Sequence, residues 1–207
     1  MNSLRNIAIR RANRADLPAI NTLTSVSTRV LCAPDYTRKQ IESIMRFNFA
    51  DNTQLIDDRT YFVIENAGQI VAAGGWSYRA ALMANCNLDN DEDPQEILDP
   101  AVAPARLRGF FVHPHFARRG LARTLVALCE RAAAGAGYSR LELLCTATAR
   151  HLYLACGFSD VEWITHIFPT GVSAILNRMS KSLPVAALAS SRTPQSRTLS
   201  SSATHFN

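Results

Sequence analysis

"HPHFARRGLARTL", residues 113–125, sets two histidines and three arginines around a single glycine and then continues with helical spacing. The stretch leading into it, "RLRGFFVHP" (residues 106–114), is an apolar strand stopped by Pro114. A strand, a tight basic turn and a helix in succession expose unpaired backbone N–H groups at the helix N-terminus, where the macrodipole adds partial positive charge. Such a place binds phosphate. Gly120 lets the backbone approach an anion, Ala122 keeps the next turn low, and Arg118 and Arg119 offset the ligand's charge. Leu121, Leu125, Leu128 or Cys129, and Ala132 recur at helical spacing, giving the helix an inward apolar face. The expected ligand is a small polyphosphate held mainly by backbone. No Gly-Lys-Ser/Thr follows, so this is not a nucleotide-hydrolysing phosphate loop. Taken alone, the turn also reads as an ordinary solvated, arginine-rich helix start, and its setting has to decide.

Outward from this point the elements alternate in type. "IAIRRA" reads as a short strand, with Asp16 placed to cap a helix whose face carries Leu17, Ile20, Leu23 and Val26/Val30. A second helix is expected over "TRKQIESIMRFN". "RTYFVIE" and "IVAAGGWSYR" form a hairpin, with Gly68 in the turn and Gly74-Gly75 marking a bulge or a close backbone approach. Residues 84–104 are long, polar and turn-rich, and hold Asp89, Asp91, Glu92, Asp93, Glu96 and Asp99. A connection of this length is functional or disordered; it reads either as an acidic lip for a cationic amine or as a solvated insertion. After the basic turn, the helix ends at Gly135 or Gly137, "RLELLC" is a strand, "ATARHLYLAC" a helix ending at Gly157, and "VEWITHI" with "GVSAILNRM" a final antiparallel pair. Two regions follow: a domain over 1–181 and a tail over 182–207. The tail holds seven serines, three threonines, two arginines and no acid, a composition that reads as disorder.

Composition narrows the function classes. A chain of 207 residues, 47% hydrophobic and 19% charged, can bury the core of one globular domain. The net charge of +5 admits anionic partners, but 17 acidic residues interspersed among 22 basic ones do not make a nucleic-acid arm. A nucleic-acid surface would also bring aromatic stacking partners, whereas Phe110 and Phe111 sit in an apolar strand. Cys32, Cys86, Cys129, Cys145 and Cys156 contain no Cys-x-x-Cys pair, so neither a disulfide framework nor a zinc site is suggested and a reducing, cytoplasmic setting is expected. His113 and His115 lack a carboxylate cluster, and no metal is expected. No apolar run spans a bilayer, and no membrane partner is expected.

In order and spacing, "RLRGFFVHP", "HFARRGLARTLVALCERAAAGAGYSRLELLC" and "ATARHLYLACGF" resemble the GNAT superfamily of N-acetyltransferases, over approximately Ile7 to Lys181. The resemblance implies an α/β fold: a mixed, mostly antiparallel twisted sheet of about six to seven strands flanked by helices, with acetyl-CoA bound where two central strands part. The family's pyrophosphate segment, Gln/Arg-x-x-Gly-x-Gly/Ala, falls on Ala117 to Ala122. Gly120 and Ala122 match, whereas Ala117 replaces the long polar residue. That leaves a backbone cradle of Arg118, Arg119, Gly120, Leu121, Ala122 and Arg123. By the same resemblance, backbone groups of Phe111 and Val112 pair with the pantetheine arm, which lies like an added strand.

The implied reaction is direct acetyl transfer from acetyl-CoA to a primary amine of a small molecule or peptide. It needs a deprotonated amine, a polarised thioester carbonyl and a proton source for the departing thiolate. The family often places a tyrosine for the last role in the helix after the fifth strand, and Tyr153 matches that place. Tyr153 also reads as a core aromatic with one wet end. "RLRGFFV" carries no carboxylate where some members use a glutamate. Glu142 and His166 are within reach of an amine through water, but both also read as ordinary sheet or surface residues, and the base is unassigned. Cys129, Cys145 and Cys156 sit in apolar patterns and read as core or pocket lining. The alternative is a non-catalytic acyl-CoA-binding sensor of the same fold. The sequence leaves a homodimer open.

Overall fold

The computed structural model describes residues 6–48, 52–83 and 93–184. Seven strands form one sheet in the order β1-β2-β3-β4-β5-β7-β6. They are β1 (Ile7–Arg11), β2 (Tyr61–Asn66), β3 (Gln69–Ser77), β4 (Ala105–Val112), β5 (Arg140–Thr146), β6 (Ser159–Ile167) and β7 (Ser173–Ser182). Every neighbouring pair is antiparallel except β4 and β5, which run parallel. Among the described residues five α-helices flank the sheet: α1 (Leu17–Leu31), α2 (Arg38–Asn48), α3 (Asn52–Asp57), α4 (Leu121–Gly135) and α5 (Ala147–Ala155). This is the mixed, mostly antiparallel sheet that the resemblance implied.

One core gathers Leu121, Leu125, Val126 and Cys129 of α4 and Tyr153 of α5 with Phe62, Ile64, Val71 and Leu107 of the sheet. A second gathers Ile20 and Leu23 of α1 and Leu55 and Ile56 of α3 with Tyr61, Val63 and Ala73. These alternate residues belong to opposite faces of the sheet, so α4 and α5 cover one face and α1 and α3 the other. A third cluster, with Ile41 and Ile44 of α2, Met83, Phe168 and Leu176, closes the end where β6 turns into β7.

Several local expectations change. Asp16 does not cap α1 through its side chain. Asn13 instead caps a 3-10 turn over Arg14–Asp16 in a reciprocal capping box, and the Asp16 carboxylate receives the Arg10 guanidinium at 2.7 and 2.8 Å. Val30 is half-exposed, and the inward face of α1 continues through the polar Thr24, Ser27 and Thr28. Thr24 can be buried because its hydroxyl donates to the Ile20 carbonyl one turn back. The short α3 has no counterpart in the expected elements. Gly74 and Gly75 mark close approaches: a Cβ on Gly74 would lie 2.7 Å from the Phe110 ring, and one on Gly75 2.6 Å from the Tyr61 ring. Residues 93–98 run back along residues 78–81, with Ala80 N–H bonding the Glu96 carbonyl and Leu98 N–H the Tyr78 carbonyl. The acids Asp89, Asp91 and Glu92 lie outside the described residues, as does the tail from 185 onward. β7 runs through Ser182, and the buried Leu183 joins the core, its N–H on the Ser139 carbonyl.

A candidate active site where two strands part

Between β4 and α4 the chain makes a 3-10 turn at Pro114–Phe116 and then passes through left-handed backbone at Arg118 (φ 62°) and Gly120 (φ 85°). Consecutive N–H groups in such turns form an anion-binding concavity. Ala117 N–H bonds the Pro114 carbonyl and Thr124 N–H the Gly120 carbonyl, while the N–H groups of Arg118, Gly120, Leu121, Ala122 and Arg123 take no backbone acceptor among the described residues. Arg118, Arg119 and Gly120 are exposed. A Cβ on Gly120 would meet nothing within 4 Å. The six expected cradle residues, Arg118 to Arg123, therefore come together at one helix start.

The strand before the cradle leaves its neighbour. β4 and β5 are in register only at Ala105↔Leu141 and Arg106↔Glu142. Beyond that point β4 keeps its pairing with β3 but carries one extra residue, because Ala73 faces Phe111 while Gly75 faces Arg108. Gly109 takes up the bulge with φ 70°. Tyr61 donates its hydroxyl to the Gly109 carbonyl at 2.7 Å, and a Cβ on Gly109 would lie 2.7 Å from Asn52 Oδ1 and 2.9 Å from the Tyr61 ring. Only glycine fits there. At the end of β4, His113 N–H bonds the Val71 carbonyl of β3, so the N–H of Val112 points to the parted side. Ser27 Oγ of α1 accepts it at 3.2 Å. Phe111 packs its side chain against the core under α1 and α3.

A cleft of about 120 Å³ occupies the parting. Its walls are the β4 run from Leu107 to Phe111, then Leu144, Cys145 and Thr146 of β5, Tyr153 of α5, Leu176 of β7, and Asn52, Leu82 and Met83. Tyr153 is buried, edge-on to Phe110 at 6.1 Å and to Phe158 at 5.7 Å. Its hydroxyl makes no hydrogen bond to the described residues. Burial holds its pKa well above the ordinary phenol value, so it stays protonated at neutral pH. The same dryness pushes the neighbouring Cys145 thiol up to about 12. Cys129, Cys156 and Cys32 are also raised by burial, so none of these thiols is poised as a nucleophile.

The two weighed bases fall elsewhere. Glu142 is buried and ion-paired with both Arg106 and Arg178, a carboxylate already committed. His166 stacks edge-on to Phe168 at 4.7 Å on the outer hairpin and does not line the cleft; burial lowers its pKa. His113 accepts the His115 N–H on Nδ1, and no group of three or more metal-ligating side chains occurs among the described residues. Among the same residues no helix is long and apolar enough to cross a membrane. Sequence reasoning missed Asn52, Leu82, Met83, Arg108 and Gly109 as cleft residues. An isolated glycine inside an apolar strand, Gly109 in "RLRGFFV", was the one local signal of a bulge at the site.

Comparison with known proteins follows the same outline. Residues 28–158 match the family model described as the acetyltransferase (GNAT) family. None of the curated proteins compared with the chain matches it in sequence. Among solved structures, a GCN5-related N-acetyltransferase from Rhodopseudomonas palustris superposes with TM-score 0.64 at 18% identity, covering 88% of this chain and 99% of that one. The PaiA N-acetyltransferase of Thermoplasma acidophilum, solved with coenzyme A, gives 0.57 at 14%, covering 86% and 99%. The ribosomal-protein-S18-alanine N-acetyltransferase of Escherichia coli gives 0.54 at 17%, covering 88% and 97%. At these identities the likeness is one of fold.

Proposed function

Because this chain belongs to the GNAT acetyltransferase family, we propose that it transfers the acetyl group of acetyl-CoA directly to a primary amine of a small molecule or peptide. The carrying observation is the parting of β4 from β5 between an amide-lined helix start and a buried, protonated tyrosine. Coenzyme A bound to the Thermoplasma relative supports CoA as the carrier, and the alanine acceptor in the name of the Escherichia relative supports an amine as acceptor.

On this reading the diphosphate lies on the N–H groups of residues 118–123, with Arg118, Arg119 and Arg123 offsetting its charge. Pantetheine runs along the parted edge of β4, displacing Ser27 from the Val112 N–H. The thioester then sits beside the Gly109 bulge and Tyr153. As the amine nitrogen forms the new C–N bond, the C–S bond breaks and its electron pair passes to sulfur. Tyr153 donates its hydroxyl proton to that sulfur and regains one from solvent, while the amine's surplus proton leaves through water. A phenol raised by burial would be a reluctant donor to a thiolate in water. A thiolate formed in the same buried cleft loses solvation too, and desolvation raises its affinity for the proton.

The test is to incubate the protein with acetyl-CoA and a panel of amines, reading free thiol and the mass of the acetylated amine. Amine-dependent thiol release supports transfer. Tight CoA binding with no release by any amine would instead make the chain an acyl-CoA sensor.

A further inference from the structure

A groove of about 370 Å³ lies between α4 and β1, away from the cleft where the strands part. We propose that it binds an amphipathic organic anion, a molecule with one carboxylate or phosphate head on an apolar chain or ring, and that Arg11 and Arg131 hold the head. The site does not depend on acetyl transfer.

Its position follows from register and helical spacing. Arg11 lies opposite Phe62 and Ile9 opposite Ile64. Phe62 and Ile64 belong to the core beneath α4, so Ile9 and Arg11 project on the α4 face of the sheet. β1 is the first strand of the sheet and pairs with β2 alone, which leaves the groove open along that edge. From the helix come Thr124, Leu128 and Arg131, at i, i+4 and i+7 and therefore on one stripe. The other flank of α4 carries Glu130, which holds Lys181 of β7 at 2.6 Å. β7 lies beyond the parting of β4 and β5, so the groove and the candidate active site open on opposite sides of this helix.

The walls define the ligand. Phe62, Leu128 and Ile9 make the floor apolar, and Ile9 is 44% exposed. Arg11 and Arg131 are exposed cations facing each other from strand and helix. Among the described residues neither guanidinium has an ion pair or a hydrogen bond. Arg10 also lines the groove, but Asp16 and Glu65 hold its guanidinium. No acidic side chain is among the lining residues, so the groove carries net positive charge. An oxyanion can bridge the two guanidinium forks, and an apolar body joined to it covers the floor and removes that surface from water. A groove of this size is large enough to take up a small organic molecule.

The experiment titrates the full chain by calorimetry with octanoate, octyl phosphate and 1-octanol, each kept monomeric, with and without saturating CoA. The expected result is one anion bound per chain, about tenfold or more tighter than 1-octanol and indifferent to CoA. Arg11→Gln and Arg131→Gln should each lower affinity for the anions about tenfold, and together they should abolish the preference over 1-octanol. CoA affinity should be unchanged in these variants, which also reports that they fold. Octanoate against octyl phosphate shows which head group the two arginines prefer. Equal affinity for 1-octanol, or anion binding that survives in the double variant, would overturn the proposal. Displacement of the anion by CoA would assign the groove to the cofactor instead. Binding to phosphatidylglycerol vesicles without binding to either monomeric anion would make it a membrane contact and overturn the proposal as well.

Discussion

Arg106 and Glu142 face each other in the last register pair that β4 and β5 make before they separate, and their side chains form a buried ion pair at that fork. Arg178 of β7 completes the neutralisation of Glu142 and reaches on to Glu162 of β6 at 3.2 Å. Opposite charges thus alternate across four strands at the closed end of the cleft. Removing Glu142 leaves the buried Arg106 without its counter-charge in a poorly solvated place. Glu142→Gln should therefore cost about 3–5 kcal/mol of unfolding free energy, while the apolar double replacement Arg106→Met with Glu142→Leu should cost much less. Urea unfolding of the two variants checks this. Equal losses would mean that strand pairing alone sets the fork.

Gly120 should be essential for cofactor binding and dispensable for folding. No protein atom lies within 4 Å of a Cβ built there, so the cost to the fold of Gly120→Asp is the backbone strain of a side chain at φ 85°, of order 1–2 kcal/mol. The new carboxylate would stand among the N–H groups meant for the diphosphate. CoA affinity measured by calorimetry should fall by at least ~100-fold with the melting transition still cooperative. Undiminished affinity in the folded variant would move the phosphate site elsewhere.

Much of this site was legible in the sequence because its parts are local. The turn at Arg118 to Gly120 follows from a glycine placed between a proline-stopped strand and a helical repeat, and the role expected of Tyr153 comes from the family resemblance. What escaped was long-range. Asn52 reaches Gly109 from a six-residue helix whose apolar pattern is too short to read. Glu142 stays open in the sequence between a base and an ordinary sheet residue because nothing near it in sequence shows that Arg106 and Arg178 converge on it. The polar inward face of α1 escaped for a related reason: Ser27 is turned inward by the strand it serves, since Val112 loses its β5 partner and still needs an acceptor for its N–H.

That bond makes Ser27 a competitor of the cofactor. If pantetheine takes the Val112 N–H, Ser27→Ala should lower the stability of the ligand-free protein by about 0.5–1.5 kcal/mol and tighten CoA binding by a comparable amount. Thermal melts with and without CoA separate the two effects. Weaker CoA binding in Ser27→Ala would show that the hydroxyl helps to hold the cofactor.

Acid should loosen the far edge of the sheet first. Arg10 of β1 holds both Asp16 and Glu65, and hydrogen bonding from Arg10 depresses the Asp16 carboxyl below the ordinary carboxylate range. A depressed folded-state pKa contributes stability that is fully present above the unfolded value, about 3.9, and is lost as pH falls through the lower folded value. Asp16→Asn should therefore be less stable than the parent at pH 7, with the gap closing only below about pH 4. A gap that stays constant down to pH 2 would assign the loss to the Asn13 capping box instead of the charge.

Tyr153 is the residue on which chemistry and packing can be separated. Its ring meets Phe110 and Phe158 edge-on, and Phe at this position keeps both contacts while deleting the hydroxyl. If that hydroxyl protonates the departing sulfur, Tyr153→Phe should lower kcat by ~10²–10⁴ and leave CoA affinity and the melting temperature nearly unchanged. The choice of acceptor sharpens the test, because the defect belongs to the leaving group and not to the amine: the same loss should appear with every amine that is turned over. Acyl donors whose thiols have lower pKa values need the proton less, so the loss should shrink as the leaving thiol becomes more acidic. A loss confined to KM for acetyl-CoA, or one that is independent of the leaving thiol, would make Tyr153 a wall of the cleft and move the proton source to solvent.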